Sequence, residues 1–147
     1  MTQIAALLRP RMVSSEVTTT KREIRMRKVA INRCFGGFGL SDEAFEKLLT
    51  RKGIAFEKVV NTERSSLLGT TYYKAGHAGD NEYYLSDYEF YDDRSDPDLI
   101  AVIEEMGKEA EGWAAEIEIV EIPSDVKWHI AEYDGLEHVA ENHRTWR

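Results

Sequence analysis

Lys28-Val29-Ala30-Ile31-Asn32, then Phe35-Gly36-Gly37-Phe38-Gly39, then Leu40-Ser41-Asp42-Glu43 is the stretch on which the reading of the fold turns. Its first five residues are rich in β-branched side chains and predict a short strand, which the glycine cluster cannot continue. Ser41 predicts a helix N-cap, because its hydroxyl can accept an amide that the first turn leaves orphaned. Asp42 and Glu43 complement the positive end of the helix dipole, and Leu40 and Phe45 hold the two positions of a hydrophobic staple. Ala44, Phe45, Leu48 and Leu49 fall on one stripe, and Gly53 is an ordinary stop.

Outward from this unit the pattern continues to alternate. Ile54 to Val60 predicts a second strand. Residues 61–81 look irregular, with Gly69, Gly76 and Gly79 spread through polar sequence. Glu82 to Tyr91 carries Tyr83, Tyr84, Tyr88, Phe90 and Tyr91 and predicts a strand or hairpin with aromatics on both faces. A second helix is capped by Ser95 or Asp96, with Pro97 in the first turn, where its missing N–H costs nothing. Leu99, Ile100, Ile103 and Met106 form its apolar stripe, and Gly107 marks its end. Ala114 to Ile122 predicts a strand stopped by Pro123, and Val126, Trp128 and Ile130 alternate with polar residues.

Asp134-Gly135 is a strong two-residue hairpin signal, because a type I′ turn needs positive φ at both central positions. That turn puts Glu132 opposite Glu137, which costs stability unless a cation lies nearby. The element order predicts an α+β fold: a mostly antiparallel sheet, two short helices and a C-terminal hairpin.

With 147 residues the chain fits one domain. Residues 1–26 read as a basic, poorly ordered arm and 27–147 as one compact domain. Met26 sits directly before the first strand, and residues 1–25 read either as a flexible arm or as the product of an upstream start codon. Eight Lys/Arg stand against two Asp/Glu in residues 1–33, and 11 against 25 in residues 34–147. So acidic a body repels nucleic-acid backbone, and nucleic acid is not an expected partner. No apolar run approaches the roughly 18 residues a membrane span requires. The short patch Ile4 to Leu8 has its basic residues on the wrong side for a secretory signal. A single cysteine, Cys34, excludes an internal disulfide and suits a reducing cytosol.

The motif Val29-x-Ile31-Asn32-x-Cys34-Phe35-Gly36-Gly37-Phe38-x-Leu40-Ser41 resembles the opening of a family of small uncharacterised proteins of tailed bacteriophages and prophages. Arg94-x-Asp96-Pro97-x-Leu99, Glu121-Ile122-Pro123 with Asp125-Val126, and Glu132-Tyr133-Asp134-Gly135 are similar to its later motifs. Val139-Ala140-Glu141-x-His143-Arg144-Thr145-Trp146 is similar to its ending. The resemblance covers about residues 28–146. It implies a phage or prophage setting and action in the host bacterial cytoplasm, and it implies no reaction.

A strand, a glycine-rich loop and a helix N-terminus together can present backbone amides to an anion. Gly36-Gly37-Phe38-Gly39 is nevertheless neither the dinucleotide pattern nor a P-loop, and Asp42 and Glu43 oppose a bare phosphate. The competing reading is a tight connection in which the glycines supply positive φ. The candidate ligand residues are Phe35, Gly36, Gly37, Phe38, Gly39, Ser41, Arg94 and Arg144. Phe35 and Phe38 would hold a base or ribose, and Arg94 or Arg144 would meet any phosphate. Against this, the acids around Arg94 suggest a structural, salt-bridged arginine. The tail His143-Arg144-x-Trp146 suggests docking onto the body or a second subunit.

No catalytic residue, metal site or cofactor emerges. His138, Glu141 and His143 lack a zinc spacing, and on a strand His138 and Glu141 face opposite ways. Cys34 lacks an evident base.

The sequence therefore leads to a non-enzymatic phage accessory protein. It is expected to form a homo-oligomer and to bind a host protein or a small nucleotide-like ligand in host takeover or anti-defence. Sequestration of a nucleotide signal is one form of this expectation. The alternatives are a small enzyme acting on a nucleotide or phosphorylated substrate, or a structural or assembly component.

Overall fold

The computed structural model describes residues 25–61 and 69–146. Most of the expected basic arm, up to residue 24, and residues 62–68 of the irregular segment lie outside the described residues.

Strand β1 (Met26–Asn32) leads through the glycine loop into helix α1 (Asp42–Arg51). Strands β2 (Phe56–Val60), β3 (Thr70–Lys74) and β4 (Tyr84–Leu85) follow, then helix α2 (Pro97–Met106). The chain ends in β5 (Ile117–Pro123), β6 (Trp128–Tyr133) and β7 (Leu136–Glu141). The fold is α+β and its strand pairs are antiparallel, but they form three small sheets, β1-β5, β2-β3-β4 and β6-β7.

Local chemistry sets the helix ends as the residues predict. Ser41 Oγ accepts the Ala44 amide at 3.2 Å, and Asp96 rather than Ser95 caps α2, accepting the Asp98 amide. Helix α1 carries two adjacent apolar stripes. Ala44 and Leu48 enter a core built with Ala30, Leu99, Val102 and Ala110. Phe45 and Leu49 enter a second core with Tyr72 and Leu85. Residues four apart lie on one helix face and neighbours lie about 100° apart, so one helix joins both clusters. Leu48 and Leu49 are completely buried, each contributing about 1.5–3 kcal/mol by transfer from water.

Two segments depart from the sequence reading. Strand β3 lies inside the stretch expected to be irregular, pairing Tyr72 with Lys58 on β2 and with Leu85 on β4. Its consecutive burial of Thr71 and Tyr72 broke the alternation that marks a strand. The aromatic segment is not a continuous strand or hairpin. It forms a 3₁₀ turn at Asn81–Tyr83, the two-residue β4 and a 3₁₀ turn at Asp87–Phe90. Asp80 accepts the Glu82 amide and so fixes the first turn locally, and Tyr83 stacks on His77.

The C-terminal hairpin has the predicted register, with Asp134 at φ 52° and Gly135 at φ 87°. The tail after it does not dock onto the body: His143 to Trp146 are exposed, Trp146 at 85%. Its attachment ends at Asn142, whose amide donates to the Lys127 carbonyl and whose side chain meets His129 Nδ1. No helix among the described residues is long and apolar enough to cross a membrane.

Candidate functional site

The glycine loop is built into the body by its own backbone. The Arg33 amide donates to the Glu116 carbonyl, Gly37 to Ala114, and Ser41 to Ala110, while the Gly112 amide donates back to Gly39. The Leu40 amide donates to the Tyr91 hydroxyl at 2.9 Å. These amides are engaged internally and not offered to an anion. None of Gly36, Gly37 and Gly39 has a positive φ, which corrects the competing sequence reading. Close approach is the physical reason for one of them. A Cβ on Gly36 would lie 1.8 Å from the Ala114 carbonyl oxygen, whereas Gly37 and Gly39 have open space. Gly135 at the hairpin tip is held the same way, its would-be Cβ 1.9 Å from the Gly36 carbonyl oxygen.

Below the loop, Asn32 is fully buried and completely hydrogen-bonded. Its Nδ2 donates to the carbonyls of Cys34 and Gly135, and its Oδ1 accepts the Glu116 amide. One side chain thus ties β1, the hairpin turn and the segment before β5 together.

Arg94 and Glu137 form the charged centre. Arg94 Nη1 donates to Glu137 Oε1 at 2.8 Å and Nη2 to Oε2 at 3.0 Å, a bidentate pair. The two side chains are only 13% and 9% exposed. Arg94 Nε donates to the Tyr91 carbonyl, Nη1 also reaches the Ala30 carbonyl, and the guanidinium lies 3.7 Å from the Phe38 ring centroid. Glu137 Oε1 accepts the Asn32 amide as well. The outward edge of β1 is therefore closed by a salt bridge where a third strand would otherwise pair. Arg94 is the cation that the opposed Glu132 and Glu137 required. It is a structural, salt-bridged arginine as its acidic surroundings suggested, but its partner comes from the hairpin and not from Asp92, Asp93 or Asp96.

Two clefts flank Phe38 and Tyr88, which line both. The first, about 510 Å³, lies between the loop and the hairpin tip, with Asp92, Glu132 and Asp134 around the Arg94–Glu137 pair. Those three carboxylates form no ion pair with a described residue. The second, about 550 Å³, runs between Gly37-Phe38-Gly39 and the aromatic segment, beneath Trp113, Tyr84 and Tyr88. Trp113 is fully exposed and Tyr88 is 74% exposed. Tyr91 braces the ridge between them, edge-on to Phe38 and donating to Asp87 Oδ2 at 2.9 Å. Burial, opposed by the Leu40 amide and reinforced by Asp87, raises the Tyr91 phenol well above its ordinary range. Burial, then Asp87, also raises Tyr84.

Of the sequence candidates, Gly36, Gly37, Phe38 and Arg94 meet at the first cleft, and Gly37, Phe38 and Gly39 also line the second. Phe35 is exposed and lines neither cleft, and the Ser41 hydroxyl is engaged by its cap and by the Glu109 carbonyl. Arg144 is exposed in the tail and lines neither cleft. Glu137, Asn32, Asp87 and Trp113 escaped sequence reasoning. The Glu132–Glu137 opposition was the signal for the first, and Gly112 before Trp113, a turn signal, was available for the last.

The Cys34 thiol points to Asn32 Oδ1 and the Ala114 carbonyl, neither of them a base. Among the described residues no three His, Cys, Asp or Glu side chains are placed to hold a metal ion. Comparison with protein-family models, with curated proteins and with solved structures finds no match to the chain.

Proposed function

We propose that the protein is a non-enzymatic accessory protein of a phage or prophage that binds a positively charged host component in the bacterial cytoplasm. The component docks on the face around the glycine loop, and host takeover or anti-defence is the setting. The observation that carries the reading is the charge state of the first cleft. Its one arginine is held by Glu137 and two carbonyls, while Asp92, Glu132 and Asp134 remain around the opening. A cleft so charged attracts cations and raises their local concentration. The exposed Tyr88, Phe35 and Tyr133 supply the aromatic area that interface cores favour. The family resemblance supplies the phage setting.

Sequestration of a nucleotide signal finds less support from the same geometry. The loop amides named above donate internally, the Arg94 guanidinium at the first cleft is held by Glu137 and two carbonyls, and Arg144 lines neither cleft.

Calorimetric titration with a hexa-lysine peptide, and in parallel with linear and cyclic nucleotides, tests the reading. Peptide binding that weakens as salt rises is the expected outcome. Nucleotide binding at micromolar concentration with no response to the peptide refutes it in favour of the nucleotide form.

A further inference from the structure

We infer that the second cleft is an arginine-binding site, taking one guanidinium of a basic partner between Trp113 and Tyr88. This rests on the proposed function and deepens it by naming the side chain and the place.

Three observations converge. First, the chain already binds a guanidinium on this ridge: Arg94 Cζ lies 3.7 Å from the Phe38 ring centroid, with a carboxylate and two carbonyls accepting from its N–H groups. Phe38 also lines the second cleft. Second, the described lining of the second cleft repeats the aromatic and acidic ingredients. Trp113, Tyr84 and Tyr88 supply ring faces and edges, Asp42 and Asp87 supply carboxylates, and no described residue of the lining is a lysine or arginine. Third, its aromatic rim is open, with Trp113 fully exposed, Tyr88 at 74% and Tyr84 at 42%. Aromatic side chains gathered so openly along one cleft mark an interaction site.

Arginine fits this chemistry better than lysine. A guanidinium is planar, stacks on aromatic faces and is more weakly hydrated than an ammonium, so it loses less on leaving water. Gly37 and Gly39 line the cleft, and a Cβ on either would meet nothing within 4 Å, which leaves room for a planar group to reach the backbone.

The test uses the full chain, hexa-arginine and hexa-lysine peptides, and the variants Trp113→Ala, Tyr88→Ala and Trp146→Ala. Both cleft side chains are exposed, so circular dichroism is expected to report an unchanged fold. Hexa-arginine is expected to bind more tightly than hexa-lysine. Trp113→Ala and Tyr88→Ala should each weaken it by roughly fivefold, with Trp146→Ala without effect.

Hexa-arginine affinity unchanged by Trp113→Ala and Tyr88→Ala overturns this inference and leaves the broader reading standing. Equal affinity for the two peptides, both lost with Trp113, overturns the choice of arginine. Binding of neither peptide overturns both readings. Light scattering supplies a further arm: a dimer that Trp113→Ala dissociates shows that a second copy covers the cleft, and overturns the inference.

Discussion

Replacing Arg94 by Met should be among the most damaging single changes in the molecule, and replacing Glu137 by Leu at the same time should undo part of the damage. Arg94→Met leaves Glu137 carrying its charge at 9% side-chain exposure, opposite Glu132 on the neighbouring strand, with the Asn32 amide as its remaining donor. It also frees the carbonyls of Tyr91 and Ala30 and removes the stack on Phe38. Removing one partner of a buried pair costs about 3–5 kcal/mol, chiefly through the uncompensated charge left behind. Glu137→Leu alone strands the guanidinium in the same way and should cost a similar amount.

In the double variant no charge is stranded, and an apolar pair of similar volume is often neutral. The Asn32 amide loses its acceptor, a residual cost of about 1–3 kcal/mol, beside the donor that the Tyr91 and Ala30 carbonyls already lose in Arg94→Met. The double variant is therefore expected to be more stable than either single one. Urea unfolding followed by circular dichroism, fitted to two states, measures all four corners of the cycle. Additive losses, or a loss under about 1 kcal/mol for Arg94→Met, would refute the claim that the pair acts as one buried unit.

Glycine substitutions separate close approach from mere flexibility. Gly36→Ala and Gly135→Ala should each destabilise by at least about 2 kcal/mol, because the new Cβ meets a backbone carbonyl. Gly37→Ala and Gly39→Ala should change stability by less than about 1 kcal/mol and can raise it, and equal effects at all four sites would contradict the geometry. Alkaline pH provides another check. Tyr72 and Tyr91 are both raised above the ordinary 10.0, each first by burial. Their contribution is complete below the unfolded value and is lost as pH climbs from there towards the folded ones. Stability should thus fall above about pH 10, with both phenols resisting ionisation at 295 nm until the chain opens; early titration of all seven tyrosines would refute it. Removing His143 onward should leave the melting temperature within about 2 °C, since those side chains are exposed. A larger fall, or a change in size by light scattering, would show that the tail docks in solution.

Much of the architecture was legible because it is local. Ser41 and Asp96 announce helix starts through bonds to amides two or three residues away, and Pro97 does so by lacking an N–H where the first turn needs none. Asp134-Gly135 announces a hairpin through the φ its turn demands, and the hairpin in turn fixes which residues face each other. The same reasoning stopped where partners are distant in sequence: Thr70 to Lys74 is a strand because Tyr72 has a place beside Phe45 and Phe56. The aromatic segment is broken by local contacts, the Asp80 cap on the Glu82 amide and the His77–Tyr83 stack, which compete with the strand its composition favours.

The glycine loop shows the division most clearly. From the sequence alone it must end a strand, start a capped helix and lie close to acids, and those acids already argued against a bare phosphate. Only the tertiary structure decided why Gly36 is glycine, since the carbonyl that excludes a side chain belongs to Ala114. It alone also decided that Arg94 answers Glu137 and not its acidic neighbours in the chain. Asp96 is taken by Lys52, and burial makes a bidentate contact outweigh the exposed Asp92 and Asp93, whose charges water screens; burial is a property of the assembled fold.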